Sequence, residues 1–198
     1  MALATAAEVR AVANGWTSAD DTLITTVLAR ADSALASHLG YPRADAGART
    51  LESATYTLYP DRYAIGWGED SLYLSVGTPR LISITSVHVD TGRDYDAASL
   101  LAATEYEADG RSLVLTDTAT TGWSSAIRAN KLVVVAGHTA DDVLKRALIL
   151  QAVHWLGNDP TAGTSSTQAP NAGSRSTHPL GLLPEVVTMV APFVLVVP

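Results

Sequence analysis

The stretch Lys131–Pro160, KLVVVAGHTADDVLKRALILQAVHWLGNDP, decides the fold, because it joins a predicted strand to the strongest predicted helix of the chain. Its first part, Lys131–Ala136, is a β-branched run that predicts a strand, and Gly137 ends this run with a turn residue. Over Val143–Leu156 the chain contains neither glycine nor proline, which indicates one uninterrupted helix. The stretch therefore predicts a strand, a turn and a long helix.

Both ends of this helix carry residues that commonly start and stop helices. Thr139 supplies a hydroxyl near the expected start. Asp141 and Asp142 place negative charge in the first turn, where free N–H groups and the helix dipole favour it. The sequence Gly157–Pro160 ends the helix. Helix capping therefore explains this pair of carboxylates without a catalytic role.

The unusual property of this helix is that it has no polar face. Its polar side chains are scattered over more than half of the helical wheel; they are Lys145, Arg146, Gln151 and His154. A helix that is apolar on all sides is covered on more than one side, either by the chain's own core or by a second subunit. We predict a subunit interface that includes Leu144, Leu148 and Trp155, with packing inside one chain as the alternative.

Size and charge limit the class of protein. With 198 residues, of which 47% are hydrophobic and 17% charged, the chain is long and apolar enough for a packed core. A net charge of −7 disfavours tight binding to a nucleic acid backbone, although an acidic surface suits a channel through which DNA slides. The mean hydropathy of +0.15 is slightly high for a soluble monomer and favours buried contacts between chains.

The residues do not combine into a set for catalysis, metal binding or cofactor binding. The chain has no cysteine, and its five histidines show no metal-ligand spacing. It also contains no GxGxxG, GxxxxGK[ST] or GxSxG motif. We interpret His154 as a core or interface residue. We therefore predict that the protein is not an enzyme and that it binds no metal and no cofactor.

Two helices are predicted at the N-terminus. The sequence Thr5–Glu8 has the form of a capping box and opens a short helix to about Ala13. The sequence Ser18–Asp21 caps a longer helix, whose apolar residues recur at spacings of three and four up to Leu39. Gly40 stands where a left-handed residue commonly ends a helix. The N-terminal part is therefore helical, with one face of the longer helix towards a core.

The pattern changes to strands between about 51 and 136. The strand-like segments before Lys131 are Ala54–Tyr59, Ser71–Val76, Leu81–Asp90, Glu105–Ala108 and Arg111–Thr116. Asp109 and Gly110 join the last two with the strongest hairpin signal in the sequence. Because the strands do not alternate with helices, we predict an antiparallel sheet inserted into a helical frame, which is an α+β fold.

The C-terminal part consists of a low-complexity arm followed by an apolar tail. Residues 158–178 are mostly Ser, Thr, Gly, Ala, Asn and Pro, which predicts a flexible arm. Pro184 favours the first turn of a short helix that ends near Met189 or Ala191. The tail Phe193–Val197 is apolar and β-prone, so we expect it to dock either on its own domain or on another chain.

Neither a targeting segment nor a membrane anchor is predicted. The N-terminal sequence MALATAAEVRAV has no basic region before an apolar core, unlike a secretory signal. Residues 179–198 are apolar, but Glu185 and repeated prolines make them a poor membrane-spanning helix.

The order of these elements, and the short motifs along them, resemble one known family. The motifs are GYP at Gly40–Pro42, ITSV at Ile84–Val87, Tyr106 with Gly110 and Arg111, AG at Ala136–Gly137, HW at His154–Trp155, and Pro184, Val187 and Ala191–Pro192 near the end. Together they resemble the head–tail connector (adaptor) proteins of tailed bacteriophages and phage-like gene transfer agents. The chain departs from the family in its longer β region, its Ser/Thr-rich arm and its apolar rather than basic end.

The resemblance implies a structural virion protein in the neck, at the head–tail interface, made in the bacterial cytoplasm. Such proteins form a ring of about twelve copies under the portal vertex and extend the DNA channel. Their partners are the portal protein and the stopper or tail-joining proteins, and DNA passes through without specific binding. The resemblance further implies that the tail binds the portal or a neighbouring subunit through Phe193, Val194, Leu195, Val196 and Val197. No membrane is involved.

The predicted organisation has five segments. They are N-terminal helices at 1–50, an antiparallel β region at 51–137, a long core or interface helix at 138–157, a flexible arm at 158–178, and a short helix with a docking tail at 179–198.

A second function class stays open at this stage, namely a β-rich module that binds a glycan or a protein. Its site would be the loop Tyr63–Asp70, which contains Trp67 among charged residues, with a further aromatic ring from Trp123. This alternative predicts a monomer that binds a glycan, whereas a connector predicts ring-sized assembly or binding to a portal.

Overall fold

The structure, a computed structural model, describes residues 2–13, 15–60, 65, 70–74, 79–109, 112–158 and 181–195. Four α-helices occur in these ranges: α1 (Ala6–Val12), α2 (Asp21–His38), α3 (Asp142–Asn158) and α4 (Pro184–Val190). Six strands occur there as well: β1 (Ala54–Leu58), β2 (Ser71–Tyr73), β3 (Leu81–Val89), β4 (Tyr106–Asp109), β5 (Ser112–Leu115) and β6 (Asn130–Ala136). Short 3-10 turns lie at Ser18–Asp20, Ala97–Ser99 and Ala191–Phe193.

The chain divides into two compact units. Unit 1 comprises Met1–Leu39 and Thr139–Val194, and it holds the four helices. Unit 2 comprises Gly40–His138 together with Leu195, and it holds the six strands. The predicted α+β class, with strands inserted into a helical frame, is therefore confirmed. None of the described helices combines the length and the apolar character that crossing a membrane requires.

The helices of unit 1 begin and end at the residues that local rules favour. The Thr5 hydroxyl accepts the N–H of Glu8, and the Glu8 carboxylate accepts the N–H of Thr5 at 2.9 Å, so α1 starts with the predicted capping box. Before α2, Thr17 and Asp20 form a second capping box around the 3-10 turn, one residue earlier than predicted. Gly40 has φ +80° after the end of α2, as a left-handed C-terminal residue should.

The start of α3 differs from the sequence prediction. The Asp141 carboxylate accepts the N–H groups of Val143 and Leu144, both at 3.0 Å, so Asp141 and not Thr139 is the cap. Thr139 is exposed and lies two residues further from these N–H groups. A carboxylate also binds free N–H groups more strongly than a hydroxyl does, because of its charge. The helix then continues through Gly157 to Asn158.

The packing of α3 explains why its sequence has no polar face. The helix contacts α1, α2 and α4, so its own chain covers it on several sides. Its buried residues are Leu144, Ala147, Leu148, Gln151, Ala152, Trp155 and Leu156. Opposite them, α2 buries Ile24, Val27, Leu28, Ala31, Leu35 and Ala36. Among the described residues, α3 is thus the central helix of unit 1.

The strands of unit 2 form two antiparallel sheets of three strands, with the orders β1-β6-β3 and β2-β5-β4. The sequence predicted one sheet, but each central strand has both of its edges occupied, and no ladder between described strands joins the two sheets. In the second sheet Asp109 pairs with Ser112, which confirms the predicted hairpin between β4 and β5. Both sheets contribute to one core, which includes Tyr56, Leu72, Val87, Leu113, Trp123, Leu132 and Val134.

Candidate docking surfaces

The predicted docking tail is described only in part. Phe193 ends a 3-10 turn and is half-buried, Val194 is 44% exposed, and Leu195 is buried. Val196 and Val197 lie outside the described residues, and so does the predicted arm 158–178 apart from Asn158. The segment before the tail belongs to the core of unit 1, because α4 buries Val186 and Val190 completely.

A buried glutamine fixes the chain immediately before α4. Gln151 on α3 has no exposed surface, and its carbonyl oxygen accepts the N–H of Leu183 at 2.9 Å. Its amide nitrogen donates to the carbonyl oxygen of Gly181 at 3.4 Å. The sequence signals this residue only as a lone amide in an apolar helix, since its partners lie 30 and 32 residues further on. Sequence reasoning therefore missed the role of Gln151.

The three residues predicted for a subunit interface are buried inside the chain. The exposed fraction is 0% for Leu144, 2% for Leu148 and 8% for Trp155. Packing within unit 1 accounts for their apolar character, and their role between subunits stays a prediction. The outer side of α3 is different, because Val143 is 43% exposed there.

A shallow groove of about 320 Å³ lies on this outer side of α3 and beside the end of α1. Its lining residues are Val12, Asp142, Lys145, Arg146, Ile149 and Leu150. We call it the α1–α3 groove. The Lys145 ammonium forms an ion pair with the Glu8 carboxylate of α1, and this contact lowers the pKa of Glu8 and raises the pKa of Lys145. The groove therefore combines apolar side chains with three charged ones, Asp142, Lys145 and Arg146. Of these, Lys145 is paired with Glu8.

Unit 2 carries a cluster of aromatic and cationic side chains where β1 and β3 end and β6 begins. The Tyr59 and Tyr95 rings lie 6.0 Å apart, and the His88 ring packs edge-on against Tyr95 at 6.2 Å. The Arg128 guanidinium stands 5.4 Å from the centre of the Tyr59 ring, and the Lys131 ammonium 4.7 Å from that of Tyr95. Each such cation–aromatic contact contributes about 0.5–1 kcal/mol of electrostatic attraction at an exposed site.

The loop before β6 is held in one conformation by several hydrogen bonds. The buried Asn130 side chain closes it, accepting the Ser124 N–H at 3.0 Å and donating to the Ser124 carbonyl at 2.7 Å. The Tyr95 hydroxyl donates to the Arg128 carbonyl, and Arg128 has a left-handed φ of +57°. At the tip of this loop Ile127 is 73% exposed. We call the loop 124–130 the Ile127 loop.

Tyr95 is itself positioned by Asp90 at the end of β3. The Asp90 carboxylate accepts the N–H groups of Tyr95 and Asp94 at 2.8 Å and of Gly92 at 2.7 Å. These bonds, that of Tyr95 foremost, hold the pKa of Asp90 below its usual value. The carboxylate is thus a structural acceptor that fixes the backbone at Tyr95, whose hydroxyl bonds to the Ile127 loop.

The structure offers little support for a glycan site near Trp123. Its ring is 8% exposed, and its Nε1 donates to the carbonyl of Asp70 at 2.9 Å, so no free face is left for a sugar. Of the predicted loop, only Ile65 and Asp70 are described, and Tyr63 and Trp67 lie outside the described residues. In the described ranges no three His, Asp or Glu side chains come together in a way that could hold a metal ion.

Comparisons with known proteins give a match of fold. No family model matches the chain, and no curated protein does. A solved structure of the neck of an empty gene transfer agent particle, computed with C6 symmetry, contains a chain that matches with a TM-score of 0.57. The identity is 14%, and the match covers 99% of this chain and 91% of the other.

Two further structures agree with this match. One is the virion of a native gene transfer agent particle, with a TM-score of 0.55, 14% identity, and coverage of 99% and 91%. The other is the neck of a native particle computed with C12 symmetry, with a TM-score of 0.50, 12% identity, and coverage of 97% and 88%. The protein therefore has the fold of a chain found in the neck of gene transfer agent particles. The resemblance predicted from the sequence motifs is confirmed at this level.

Proposed function

We propose that the protein is a structural component of a phage-like particle, and that it acts as a head–tail connector in the neck. The observation that carries this proposal is the fold match to neck chains over 99% of this chain. The order of the motifs along the sequence supports it as well, because it is a property of the sequence and not of the fold. In this role the protein needs no catalytic group, and we propose that it is not an enzyme.

We further propose that the protein assembles into a ring of about twelve copies under the portal. The matched neck structures were computed with C6 and C12 symmetry, which supports a ring of a similar kind. The net charge of −7 suits the wall of a channel, because an acidic surface does not retain passing DNA. The partners in this proposal are the portal on one side and stopper or tail-joining proteins on the other.

Two surfaces are proposed to mediate these contacts. The tail Phe193–Val197 would bind the portal or a neighbouring copy, and the exposure of Val194, directly after the 3-10 turn that follows the anchored helix α4, supports this assignment. The helix α3 would lie at the contact between copies. Leu144, Leu148 and Trp155 would then hold α3 in place from the core, while its outer side meets the neighbour.

The test is the mass of the purified protein by light scattering, alone and mixed with the portal of the same genome. We expect either a ring of about twelve copies or a stable complex with the portal. A protein that stays monomeric and also ignores the portal would contradict the connector role. Glycan binding would then be the function to examine.

A further inference from the structure

We propose that a second copy of this chain docks on the aromatic and cationic surface of unit 2, and that carboxylates of that copy pair there with Arg128 and Lys131. We call this surface the tyrosine patch. It consists of Tyr59, His88, Tyr95, Arg128 and Lys131, with the exposed Leu100 and Ile127 at its margin. This inference rests on the proposed ring function, and it names one surface through which neighbouring copies would meet.

The side chains of the tyrosine patch form a continuous series of contacts within unit 2. The Tyr59 and Tyr95 rings lie 6.0 Å apart, and the His88 ring follows at 6.2 Å from Tyr95. Leu100 pairs with His88 in an antiparallel bridge, so these two side chains lie on the same face. At the other end, Arg128 over the Tyr59 ring leads directly to Ile127. The patch is therefore one surface and not a set of scattered residues.

The exposed side chains of the patch favour a protein as its partner. Ile127 is 73% exposed, Leu100 47% and Tyr59 42%. Aliphatic surface of this kind gains free energy when a protein covers it, whereas the phosphate backbone of a nucleic acid offers no apolar surface in return. Tyrosine and arginine are also the residue types that contribute most to binding at protein interfaces.

The charges of the patch show what such a partner has to supply. Arg128 and Lys131 form no ion pair with a carboxylate of the described ranges, and each is held over a tyrosine ring instead. The carboxylates of the adjacent turn already accept backbone N–H groups, three at Asp90 and two at Asp96. The other charged residues of that turn, Arg93 and Asp94, are exposed and have opposite signs.

Stacking on a tyrosine does not use up the binding capacity of the two cations. An arginine that lies over an aromatic ring keeps the N–H groups of its edge for a carboxylate. The Ile127 loop is also held in place, because Asn130 closes it and the Tyr95 hydroxyl donates to its backbone at Arg128. Little conformational entropy is therefore lost when a partner binds.

A second copy of the chain can supply the carboxylates. The sequence has 20 acidic against 13 basic residues, so carboxylates predominate among the charged groups of each copy. In a ring, each copy meets the next head to tail, and a cationic patch then faces a different, acidic surface of the same chain. Copies with a net charge of −7 repel one another, and a local cationic patch selects the one orientation in which they attract. The C6 and C12 symmetry of the matched neck structures supports such neighbours.

The small number of amines in the chain allows a direct test by cross-linking. The sequence contains two lysines, Lys131 and Lys145. A carbodiimide joins an amine to a carboxylate only where the two groups are in contact. We expect that the full-length protein, assembled alone or on the portal and then treated, gives covalent multimers on a denaturing gel. Mass spectrometry of the excised multimers should identify Lys131 joined to an aspartate or glutamate of another copy, and it distinguishes this product from cross-links of the N-terminal amine.

Two conservative variants control this experiment. Lys131→Arg keeps the positive charge but removes the amine, so assembly should persist while the multimers linked through position 131 disappear. Lys145→Arg should leave these multimers unchanged, because Lys145 pairs with Glu8 of its own chain.

A second measurement addresses the apolar margin and the charge of the patch. Ile127→Asp should weaken assembly about tenfold in light scattering, whereas Ile82→Asp, at an exposed isoleucine near the other end of β3, should leave it unchanged. Arg128→Glu should weaken assembly as well, and it should make assembly less sensitive to salt than that of the wild type. The melting temperature of each variant verifies that it is folded.

The outcomes separate this inference from the proposed function. Cross-links from Lys131 to another copy, together with weaker assembly of Ile127→Asp, would support the docking surface. If the wild type assembles but Lys131 cross-links to the portal or to nothing, and Ile127→Asp assembles normally, the contact between copies lies elsewhere and the connector role stands. If Arg128→Glu instead loses affinity for duplex DNA in fluorescence anisotropy and assembles normally, the patch binds nucleic acid and this inference is wrong. A wild type that assembles neither alone nor on the portal contradicts both proposals.

Discussion

At the scale of single residues, Gln151 offers the clearest link between a buried group and the stability of unit 1. Its side chain holds the backbone of Leu183 and Gly181 in the core, and all of its surface is buried. Gln151→Ala removes both bonds and leaves these backbone groups without their partner. We expect a loss of about 2–3 kcal/mol in the free energy of unfolding, measured by urea denaturation.

Two further variants separate hydrogen bonding from packing at this position. Gln151→Met keeps the length of the side chain but removes its polar atoms, and it should remain destabilised by about 1–2 kcal/mol. Arg146→Gln, on the exposed side of the same helix, should change stability by less than about 0.5 kcal/mol. Full stability of the methionine variant would mean that the two hydrogen bonds contribute nothing net.

Gly137 is the second residue whose environment makes a sharp prediction. It has φ +122°, and a Cβ built there would lie 2.3 Å from the carbonyl oxygen of Glu52, which belongs to the backbone and cannot turn away. Gly137→Ala should therefore cost at least about 3 kcal/mol in thermal or urea unfolding. In Gly157→Ala the new methyl group meets nothing within 4 Å, so this helical variant should gain about 0.5–1 kcal/mol. Equal effects of both substitutions would refute this account of Gly137.

Single residues also show which features can be predicted from the sequence and which cannot. The capping box of Thr5 and Glu8 and the left-handed Gly40 follow from residues that are neighbours in sequence, and both were predicted. Gln151 and Tyr95 act on groups about 30 residues away, and no local pattern announces such partners. Asp141 rather than Thr139 caps α3, because its charged carboxylate lies where it can accept the first free N–H groups of the helix.

At the scale of elements, α1 is attached to α3 through the ion pair of Glu8 and Lys145. The pKa of Glu8 is lowered by Lys145 first and by Thr5 second, so its charged form is favoured in the folded state. The stabilisation is therefore complete above the ordinary pKa of 4.5 and is lost as the pH falls through the lower folded-state value. Because both side chains are more than a third exposed, the effect is small and decreases with salt.

The measurement for this pair is thermal unfolding of Glu8→Gln against the wild type over a range of pH. The variant should melt slightly lower at pH 7, and the two curves should converge as Glu8 becomes protonated in the folded wild type. Asp117→Asn on unit 2 provides the comparison, since it also removes an exposed carboxylate but leaves the α1–α3 pair intact. A constant difference down to the lowest pH would assign the effect to capping geometry instead of charge.

The element α4 changes how the tail has to be tested. Deletion of residues 179–198 would remove more than a docking tail, because α4 buries Val186 and Val190 in unit 1. That deletion would expose the core, so loss of portal binding would be uninformative. Val194→Asp instead changes an exposed position directly after the anchored segment. We expect it to weaken portal binding at least tenfold in a pull-down or by light scattering, with an unchanged melting temperature.

Leu195→Ala is the matched variant for this experiment. Leu195 is buried, so the truncation should lower the melting temperature, with a cost of about 2–3 kcal/mol. If Val194→Asp binds the portal as tightly as the wild type, Val194 is not part of the portal contact. If the Val194→Asp variant unfolds, Val194 contributes to the stability of unit 1 instead.

Prediction of the elements succeeded because their signals are local, while their pairing depended on contacts that are distant in sequence. The periodicity of α2 and the β-branched run of β6 are each visible in a short window of sequence. The division of the strands into two sheets does not, because it depends on which edge each strand presents after folding. The same limit applies to the three residues predicted at a subunit interface. The sequence of an apolar helix does not reveal whether its own chain or another chain covers it.

At the scale of the whole molecule, the β unit is an insertion with its two ends held together. Unit 2 begins at Gly40 and its main segment ends at His138, and the Tyr41 hydroxyl lies 2.9 Å from Nε2 of His138. Both side chains are buried, and the backbone of His138 also bonds to Leu51 and Ser53. Adjacent termini are a common property of domains that fold alone. The fragment 40–138 should therefore fold without the helices.

The expected signature is a cooperative thermal transition with β-type circular dichroism and a dispersed amide NMR spectrum. The fragment lacks Leu195, which belongs to unit 2, so its midpoint should lie below that of the full chain. Tyr41→Phe in the same fragment removes the hydrogen bond between the two ends and should lower the midpoint further, by about 1–2 kcal/mol of stability. A fragment that remains unfolded would show that the helices are needed to fold the sheets. In that case the chain would be a single cooperative body, and the ends joined by Tyr41 and His138 would not define an independent domain.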